Sequence, residues 1–163
     1  MNKLISSLDK VLKVSLIVMM SLIILSVLWQ VLSRYLLQTP SSGSEELARF
    51  LLIWISLIGA VYSYRVKLHL GLDVLVNKLP HNQQVATQLF CHVAILFFSL
   101  AVLVFGGVKL VLLTFNPVQI SPALGFHMGY VYLVLPLSGV LMTLYAVNEL
   151  MVTWQQRANV EAP

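Results

Sequence analysis

The sequence predicts an all-α integral membrane protein with four transmembrane helices and both termini in the cytoplasm. Of its 163 residues, 59% are hydrophobic and 10% are charged, whereas soluble domains average roughly 45–50% apolar and about 25% charged residues. Four long apolar stretches approach the roughly 20 residues that a helix needs to cross a bilayer. Lysine and arginine are unevenly shared between the connecting segments, which sets the orientation.

The composition excludes several classes of protein. A soluble chain of this size buries only about 70% of the surface that its unfolded form exposes, so it could not hide this much apolar surface. A soluble enzyme, a disordered chain and a nucleic-acid binder are therefore excluded. The single Cys91 allows no internal disulfide and no multi-cysteine metal site. We expect no catalytic residue, no bound metal and no cofactor.

We place the spans at about 14–36, 44–65, 85–114 and 126–150, in one membrane domain covering 1–163. The first apolar run is longer than the core of a signal peptide, and no small-residue cleavage site follows it, so we interpret it as a retained span. The second run reaches membrane length only if its helix begins near Ser44, a good N-terminal cap. Glu45, Glu46 and Arg49 then lie at or just inside the membrane face.

A shorter amphipathic segment separates spans two and three. Between about 68 and 79 the apolar residues Leu72, Leu75 and Leu79 recur at helical spacing, and Pro80 ends the pattern. The segment is too short to span a bilayer. It is suited to lie in the membrane interface with its leucines facing inward.

The basic residues assign the two sides of the membrane. One side receives seven of them, Lys3, Lys10, Lys13, Arg65, Lys67, Lys78 and Arg157, and the other side receives Arg34, Arg49 and Lys109. The positive-inside rule places the richer side, which includes both termini, in the cytoplasm.

Small and polar residues recur along each span at heptad-like intervals. In lipid such residues form the contacts between helices, because the surrounding tails are as apolar as leucine. We predict packing contacts at the following positions: Ser56, Gly59, Ala60 and Ser63 in span two, His92, Ser99 and Gly106 in span three, and Gly139 in span four.

The charged cluster Glu45, Glu46 and Arg49 has two open interpretations. On a helix Arg49 follows Glu45 by four residues and Glu46 by three, so either carboxylate can reach the guanidinium. The cluster is then an ion pair that anchors span two at the membrane face. Alternatively, it is part of an interface with a partner subunit.

Two other kinds of chemistry are poorly supported. His92 and His127 invite a haem interpretation, but helical rise separates them by about 20 Å in depth, too far to ligate one iron. Ion-coupled carriers need an ionisable residue deep in a span, whereas no Asp, Glu, Lys or Arg lies mid-span here. The chain is therefore predicted to assist a transporter and not to carry the ion itself.

Several short motifs then occur in a specific order. They are Ser44-Glu45-Glu46-Leu47-Ala48-Arg49, then Trp54, Gly59 and His69-Leu70-Gly71-Leu72-Asp73-Val74-Leu75, and later Ile120-Ser121-Pro122-Ala123-Leu124, Tyr132 and Leu135-Pro136-Leu137. Over nearly the whole chain this pattern resembles the DctQ-type small membrane subunit of tripartite ATP-independent periplasmic (TRAP) transporters.

The resemblance implies a subunit of a bacterial inner-membrane transporter. It implies a large multi-span permease partner that holds the sodium and substrate sites, and a periplasmic protein that delivers an organic acid of the dicarboxylate or sialic acid type. The small subunit would brace the large one, with the loop 115–125 available to help dock the binding protein. The alternatives are a membrane anchor of a respiratory complex, which an absorption spectrum would reveal, and an assembly protein without a transport role.

Overall fold

In the computed structural model, which describes residues 2–66 and 81–161, the chain is almost entirely helical. The helices are α1 (Asn2–Tyr35), α2 (Ser42–Arg65), α3 (His81–Phe98), α4 (Gly107–Phe115), α5 (Met128–Tyr132) and α6 (Val134–Glu161). A π-helical segment, Ser99–Gly106, joins α3 to α4 without a break in the helical path. The one β-type pairing in the described ranges is a single bridge between Ile120 and His127.

Four helical stretches are long and apolar enough to cross a membrane. They cover Ile5–Tyr35, Ser42–Arg65, Thr87–Phe115 and Met128–Val152. The predicted fold class, an all-α membrane protein with four transmembrane helices, is confirmed. The orientation of the termini stays a prediction. The proposed interfacial helix at 68–79, with Leu72, Leu75 and Leu79, lies outside the described residues.

The first two spans follow the local sequence signals closely. Helix α2 begins at Ser42, two residues before the expected start, directly after Pro40 and Ser41. Its first turn contains Glu45 and its last turn contains Arg65, an arrangement that complements the partial charges at the two helix ends. Helix α1 begins at Asn2 and so extends well before the predicted boundary at 14.

The other two spans depart from a regular α-helix. Between α5 and α6 the helix is broken at Leu133, three residues before Pro136, which lacks the N–H that a continuous helix would donate to an earlier carbonyl. In the third span the π-helical turns hold one more residue than α-helical turns and shift the faces of everything that follows.

The contacts divide the chain into two compact units. The first contains Met1–Tyr62 and Lys109–Val134, and the second contains Ser63–Val108 and Leu135–Pro163. The buried apolar residues of the first unit include Phe50, Ile58, Val61, Val111, Val131 and Val134. Those of the second unit include Tyr64, Leu103, Tyr145 and Ala146.

Much of the apolar surface stays exposed on this chain. Leu25 and Trp29 in α1 are 62% and 54% exposed, and Phe97 and Phe105 in the third span are 73% and 74% exposed. Exposure of large apolar side chains on this scale marks a surface that lipid or another protein covers. The fold therefore offers a membrane-embedded surface with a few polar fastenings, which are described next.

Candidate functional site

The most specific polar arrangement of the first unit is built around Glu46, in the second turn of α2. One carboxylate oxygen, Oε2, accepts hydrogen bonds from the backbone N–H groups of Ala123 and Leu124, both at 3.0 Å. Glu46 is 9% exposed and Ser121 is 2% exposed. A carboxylate that receives backbone N–H groups forms charge-assisted hydrogen bonds, which are stronger than neutral ones. We call Glu46, Ser121, Ala123 and Leu124 the Glu46 clasp.

The loop side of the clasp is folded by its own backbone. Ser121 donates its N–H to the carbonyl of Phe126 at 2.8 Å, and Gly125 donates to Ser121 at 3.0 Å. Gly125 has a φ of +71°, a left-handed conformation that glycine adopts without steric cost. The tight turn places the N–H groups of Ala123 and Leu124 side by side, so that one carboxylate oxygen can accept both.

The neighbouring charges take a different partner. Arg49 Nη2 lies 3.1 Å from Glu45 Oε1, and the two side chains are 66% and 60% exposed. The structure thus gives different partners to the two carboxylates, which by sequence spacing alone could both reach Arg49. Glu45 pairs with Arg49 on the surface, whereas Glu46 fastens α2 to the loop of its own chain.

Two more hydrogen bonds fasten the first unit near the clasp. Ser26 in α1 donates its hydroxyl to the carbonyl of Ser44 at 2.9 Å. The indole N–H of Trp54 donates to the carbonyl of Val131 at 3.1 Å, which ties α2 to α5. Together with the Glu46 clasp, these bonds join α1, α2, the 116–127 loop and α5 by specific polar contacts.

The second unit has its own polar contacts. The Ser99 hydroxyl lies 2.9 Å from that of Thr143, and the Tyr64 hydroxyl lies 2.8 Å from Nδ1 of His92. Ser99 is fully buried. Two of the predicted packing residues of span three, His92 and Ser99, are thus hydrogen-bonded to other helices in the structure.

An ion pair between Arg65 and Glu149 escaped the sequence reasoning. Arg65 Nη1 lies 3.4 Å from Glu149 Oε1, with the guanidinium 5.8 Å from the centre of the Tyr145 ring. The signal was available in the sequence. The two opposite charges end spans two and four, and spans of alternating direction bring those ends to the same membrane face.

The closest helix contacts of the second unit involve glycine. A Cβ added to Gly139 would lie 2.8 Å from Leu103 Cβ and 2.9 Å from the backbone nitrogen of Val104. A Cβ on Gly107 would lie 2.9 Å from Leu135 Cβ and from Pro136 N. At Gly106 the nearest atom would be 3.8 Å away, within the same helical stretch.

In the structure the close approach is at Gly107, and close packing at Gly106 stays a prediction. The prediction spaced His92, Ser99 and Gly106 by seven residues, as if the helix were α-helical throughout. The π-helical segment from Ser99 to Gly106 contains more residues per turn. The next glycine consequently lies on the face that meets Leu135 and Pro136.

The residues predicted to form packing contacts in span two are mostly not buried in the structure. Ser56 and Ala60 are exposed and Ser63 is half-buried, while the Ser56 hydroxyl donates to the carbonyl of Leu52 in its own helix at 2.7 Å. A Cβ at Gly59 would meet Leu16 at 3.9 Å, an ordinary contact. Packing at Ser56 and Ala60 thus stays a prediction, because the described residues do not cover them.

No constellation for metal chemistry is found in the described part of the chain. Within 2–66 and 81–161, no three His, Cys, Asp or Glu side chains lie close enough together to hold an ion. His127 lies beside Phe115 and Tyr130, with ring centroids 6.4 and 6.1 Å away. The arrangement can fasten helices and a loop, and its exposed charges and apolar faces can meet a partner.

Known proteins with similar sequences place this arrangement in a family. The family model for the DctQ component of tripartite ATP-independent periplasmic transporters matches residues 23–156. A Haemophilus influenzae (strain Rd) protein named as a TRAP transporter small permease is 26% identical over 94% of this chain and 93% of its own length. The C4-dicarboxylate TRAP transporter small permease protein DctQ of Rhodobacter capsulatus is 31% identical over 61% of this chain and 43% of its own length.

A third relative is much longer. The sialic acid TRAP transporter permease protein SiaT of Haemophilus influenzae (strain 86-028NP) is 27% identical over 69% of this chain, but the match covers 18% of that protein. In SiaT a segment like this chain is therefore continuous with a large permease, which indicates that the two parts associate. With a family match that covers most of the sequence and four helices able to span a membrane, the chain belongs to the DctQ component family of tripartite ATP-independent periplasmic transporters.

Proposed function

We propose that this protein is the small subunit that braces the large permease of a sodium-coupled TRAP transporter for an organic acid. The single observation that carries the proposal is the family match over residues 23–156. The substrate class, a dicarboxylate or a sialic acid, is proposed from relatives whose names specify C4-dicarboxylate and sialic acid. The location proposed is a bacterial inner membrane, with both termini in the cytoplasm.

The distribution of polar groups supports a bracing role. The buried polar contacts of the described residues fasten helices of this chain to one another, as in the Glu46 clasp and the pair Ser99 and Thr143. A brace has to keep its shape while its partner moves, and internal fastening of this kind supplies rigidity. The sodium and substrate sites are accordingly assigned to the large permease.

The surface supports the existence of a membrane-embedded partner. Glu45 and Arg49 form an exposed pair at the start of α2, and Ser56 and Ala60 expose small side chains farther along the same helix. In lipid, small residues let a second helix approach closely, and a charged pair near the membrane face can be shared with a partner. We therefore propose that this surface of α2 meets the large permease.

The proposal includes a role for this chain in docking the periplasmic binding protein. The 36–41 connection and the Glu45–Arg49 pair lie at one membrane face, at the junction of spans one and two. The positive-inside rule makes that face periplasmic. We propose that a binding protein seated on the large permease also reaches this face.

Co-expression with the cognate large permease tests the proposal. With an affinity tag on this chain alone, we expect the large permease to co-purify in mild detergent at a constant ratio through size-exclusion chromatography. An unrelated four-span membrane protein carrying the same tag is the control. Recovery of the chain without the permease, under conditions in which both are expressed in the membrane, would contradict the proposal.

A further inference from the structure

The connection between α4 and α5 has an unusual composition for a loop outside a membrane. Lys109 and Glu149 are successive charged residues along the sequence, so the whole stretch 110–148, including this loop, carries no Asp, Glu, Lys or Arg. The 36–41 connection is also uncharged, but Arg34 and Glu45 flank it closely, and half of its residues are polar (Gln38, Thr39 and Ser41). A loop without charged side chains can lie in an environment of low polarity, because no charge has to be removed from water.

The apolar side chains of the loop point away from the protein. Val118, Ile120 and Phe126 are 55%, 59% and 58% exposed, and Tyr130, at the beginning of the adjoining span, is also exposed. In contrast, the polar Ser121 is buried at the Glu46 clasp. In this loop the large apolar side chains are exposed and Ser121 is buried, which is the reverse of the usual arrangement in a loop that faces water.

Most backbone N–H groups of the loop are hydrogen-bonded within the chain. Pro117 and Pro122 have no N–H to satisfy. Between 116 and 128, seven N–H groups donate to acceptors within the chain, those of Asn116, Gln119, Ser121, Ala123, Leu124, Gly125 and Met128. Non-helical backbone is tolerated at membrane depth only where its polar groups are bonded internally or reach water.

We infer that the 116–127 loop lies in the lipid interface, where Val118, Ile120 and Phe126 contact the acyl chains of the adjacent leaflet. The depth is interfacial and not central, because Asn116 and Gln119 are exposed and polar. Tyr130 supplies a tyrosine ring, a side chain that is enriched at this level of the bilayer.

The Glu46 clasp allows the 116–127 loop to lie in the lipid interface, because it supplies acceptors for backbone N–H groups. The Ala123 N–H has the Glu46 carboxylate as its acceptor, and the Leu124 N–H donates both to Glu46 and, at 3.3 Å, to the Ser121 hydroxyl. The Glu46 oxygen bonds both at 3.0 Å, while the two N–H groups in return stabilise the buried carboxylate. Glu46 is therefore a positioning residue for a loop that rests on lipid.

A soluble protein partner fits this surface less well than lipid. Transient protein–protein contacts are guided by complementary charges, which raise the rate of encounter, and the loop offers none. Their surfaces are also about as polar as the rest of a protein's exterior. Three exposed apolar side chains with no charge among them fit acyl chains instead.

Site-directed spin labelling of the complex tests the inference. In a Cys91→Ser background, single cysteines are introduced as Val118→Cys, Ile120→Cys and Phe126→Cys, and the chain is reconstituted with its large permease in phosphatidylcholine/phosphatidylglycerol vesicles. Leu25→Cys, on the exposed face of α1, is the lipid reference, and Thr39→Cys is the water reference. The collision rates of each label with oxygen, which partitions into lipid, and with a water-soluble nickel chelate are then compared.

We expect the oxygen-to-nickel ratio at 118, 120 and 126 to exceed that at Thr39→Cys severalfold and to approach that at Leu25→Cys. A ratio equal to that at Thr39→Cys places the loop in water, free to meet a binding protein, and overturns the inference. Low collision rates with both reagents mean that protein covers the loop, which also overturns it.

A second arm isolates the role of Glu46. Adding Glu46→Gln to the Ile120→Cys chain should raise the collision rate with the nickel reagent severalfold, while Glu45→Gln, on the preceding residue, should leave it unchanged. An equal response to the two substitutions would show that Glu46 does not hold the loop in lipid. The wild-type arm above is independent of whether the Glu46→Gln variant assembles.

Discussion

The Glu46 carboxylate and the Leu124 N–H are hydrogen-bonded at 3.0 Å, although 78 positions separate the two residues in the sequence. This bond, with its twin from Ala123, closes the second span onto the connection between the third and fourth spans. Glu45, one residue earlier, instead pairs with Arg49 on the surface. Adjacent carboxylates thus have separate tasks, one inside the chain and one facing outward.

The first prediction concerns the stability of the clasp. Glu46→Gln keeps the size of the side chain but removes the charge that strengthens both hydrogen bonds. We expect the apparent Tm of the purified chain in detergent to fall by roughly 3–8 °C, the scale of a single buried interaction in a small protein. Glu45→Gln is the matched control and should shift the Tm little, since exposed ion pairs contribute little. Equal shifts for the two variants would contradict the assignment.

The second prediction uses two adjacent glycines. Gly107→Ala places a Cβ 2.9 Å from Leu135 Cβ and Pro136 N, and such overpacking costs about 1–3 kcal/mol. Gly106→Ala meets its nearest neighbour at 3.8 Å and should be neutral or stabilising, because alanine favours helix over glycine by roughly 0.5–1 kcal/mol. Thermal unfolding monitored by circular dichroism distinguishes the two. The reverse order would show that the π-helical segment does not set the packing face.

The third prediction concerns the polar contact between spans three and four. Ser99→Ala and Thr143→Val each remove one hydroxyl of a pair that lies 2.9 Å apart. Interhelical hydrogen bonds in membrane proteins contribute about 0.6 kcal/mol on average, up to about 1.7. We expect a double-mutant cycle, measured by unfolding in mixed detergent micelles, to give a coupling energy within that range. Strict additivity of the two single changes would show that the hydroxyls do not interact.

The fourth prediction concerns the partner surface. Arg49 is exposed, so Arg49→Ala should leave the Tm of the isolated chain nearly unchanged. We expect the same variant to reduce co-purification with the large permease and to lower uptake by the complex, because a partner loses the guanidinium. Arg34→Ala, on the same membrane face and also exposed, is the control. Wild-type assembly and uptake with Arg49→Ala would remove Arg49 from the proposed interface.

The fifth prediction tests the ion pair that the sequence reasoning missed. Arg65→Leu removes the guanidinium that lies 3.4 Å from the buried Glu149 carboxylate and should lower the Tm. Replacing both residues, as Arg65→Leu with Glu149→Leu, should recover much of the loss, since an apolar pair often substitutes for a buried ion pair. Thermal melts of the two variants and the wild type supply the comparison. A double variant less stable than Arg65→Leu would argue that Glu149 has another essential contact.

Composition and charge spacing were sufficient to predict the membrane class and the four spans. Apolar runs long enough to cross a bilayer have few alternative structures, and Ser44, interpreted as an N-terminal cap, predicted the start of α2 to within two residues. The sequence also identified Glu45, Glu46 and Arg49 as a unit of interest. The sequence could not show which carboxylate pairs with Arg49, because at helical spacing both are equally able to reach it.

Tertiary contacts account for what the sequence could not supply. The partner of Glu46 is a pair of backbone N–H groups, which every non-proline residue carries and which therefore leave no sequence signal. The shift from Gly106 to Gly107 depends on π-helical turns within an apolar stretch that otherwise looks uniform. The Arg65–Glu149 pair was recoverable in principle, from opposite charges at span ends on one membrane face.

The central claim is that this chain supports transport by a large permease which itself holds the sodium and substrate sites. The most direct measurement is uptake of labelled dicarboxylates and sialic acid into proteoliposomes under an inward sodium gradient. The vesicles contain the large permease and the binding protein, with or without this chain. We predict sodium-dependent uptake of one of these acids when the chain is present and little uptake without it. Equal uptake in both preparations would contradict the claim.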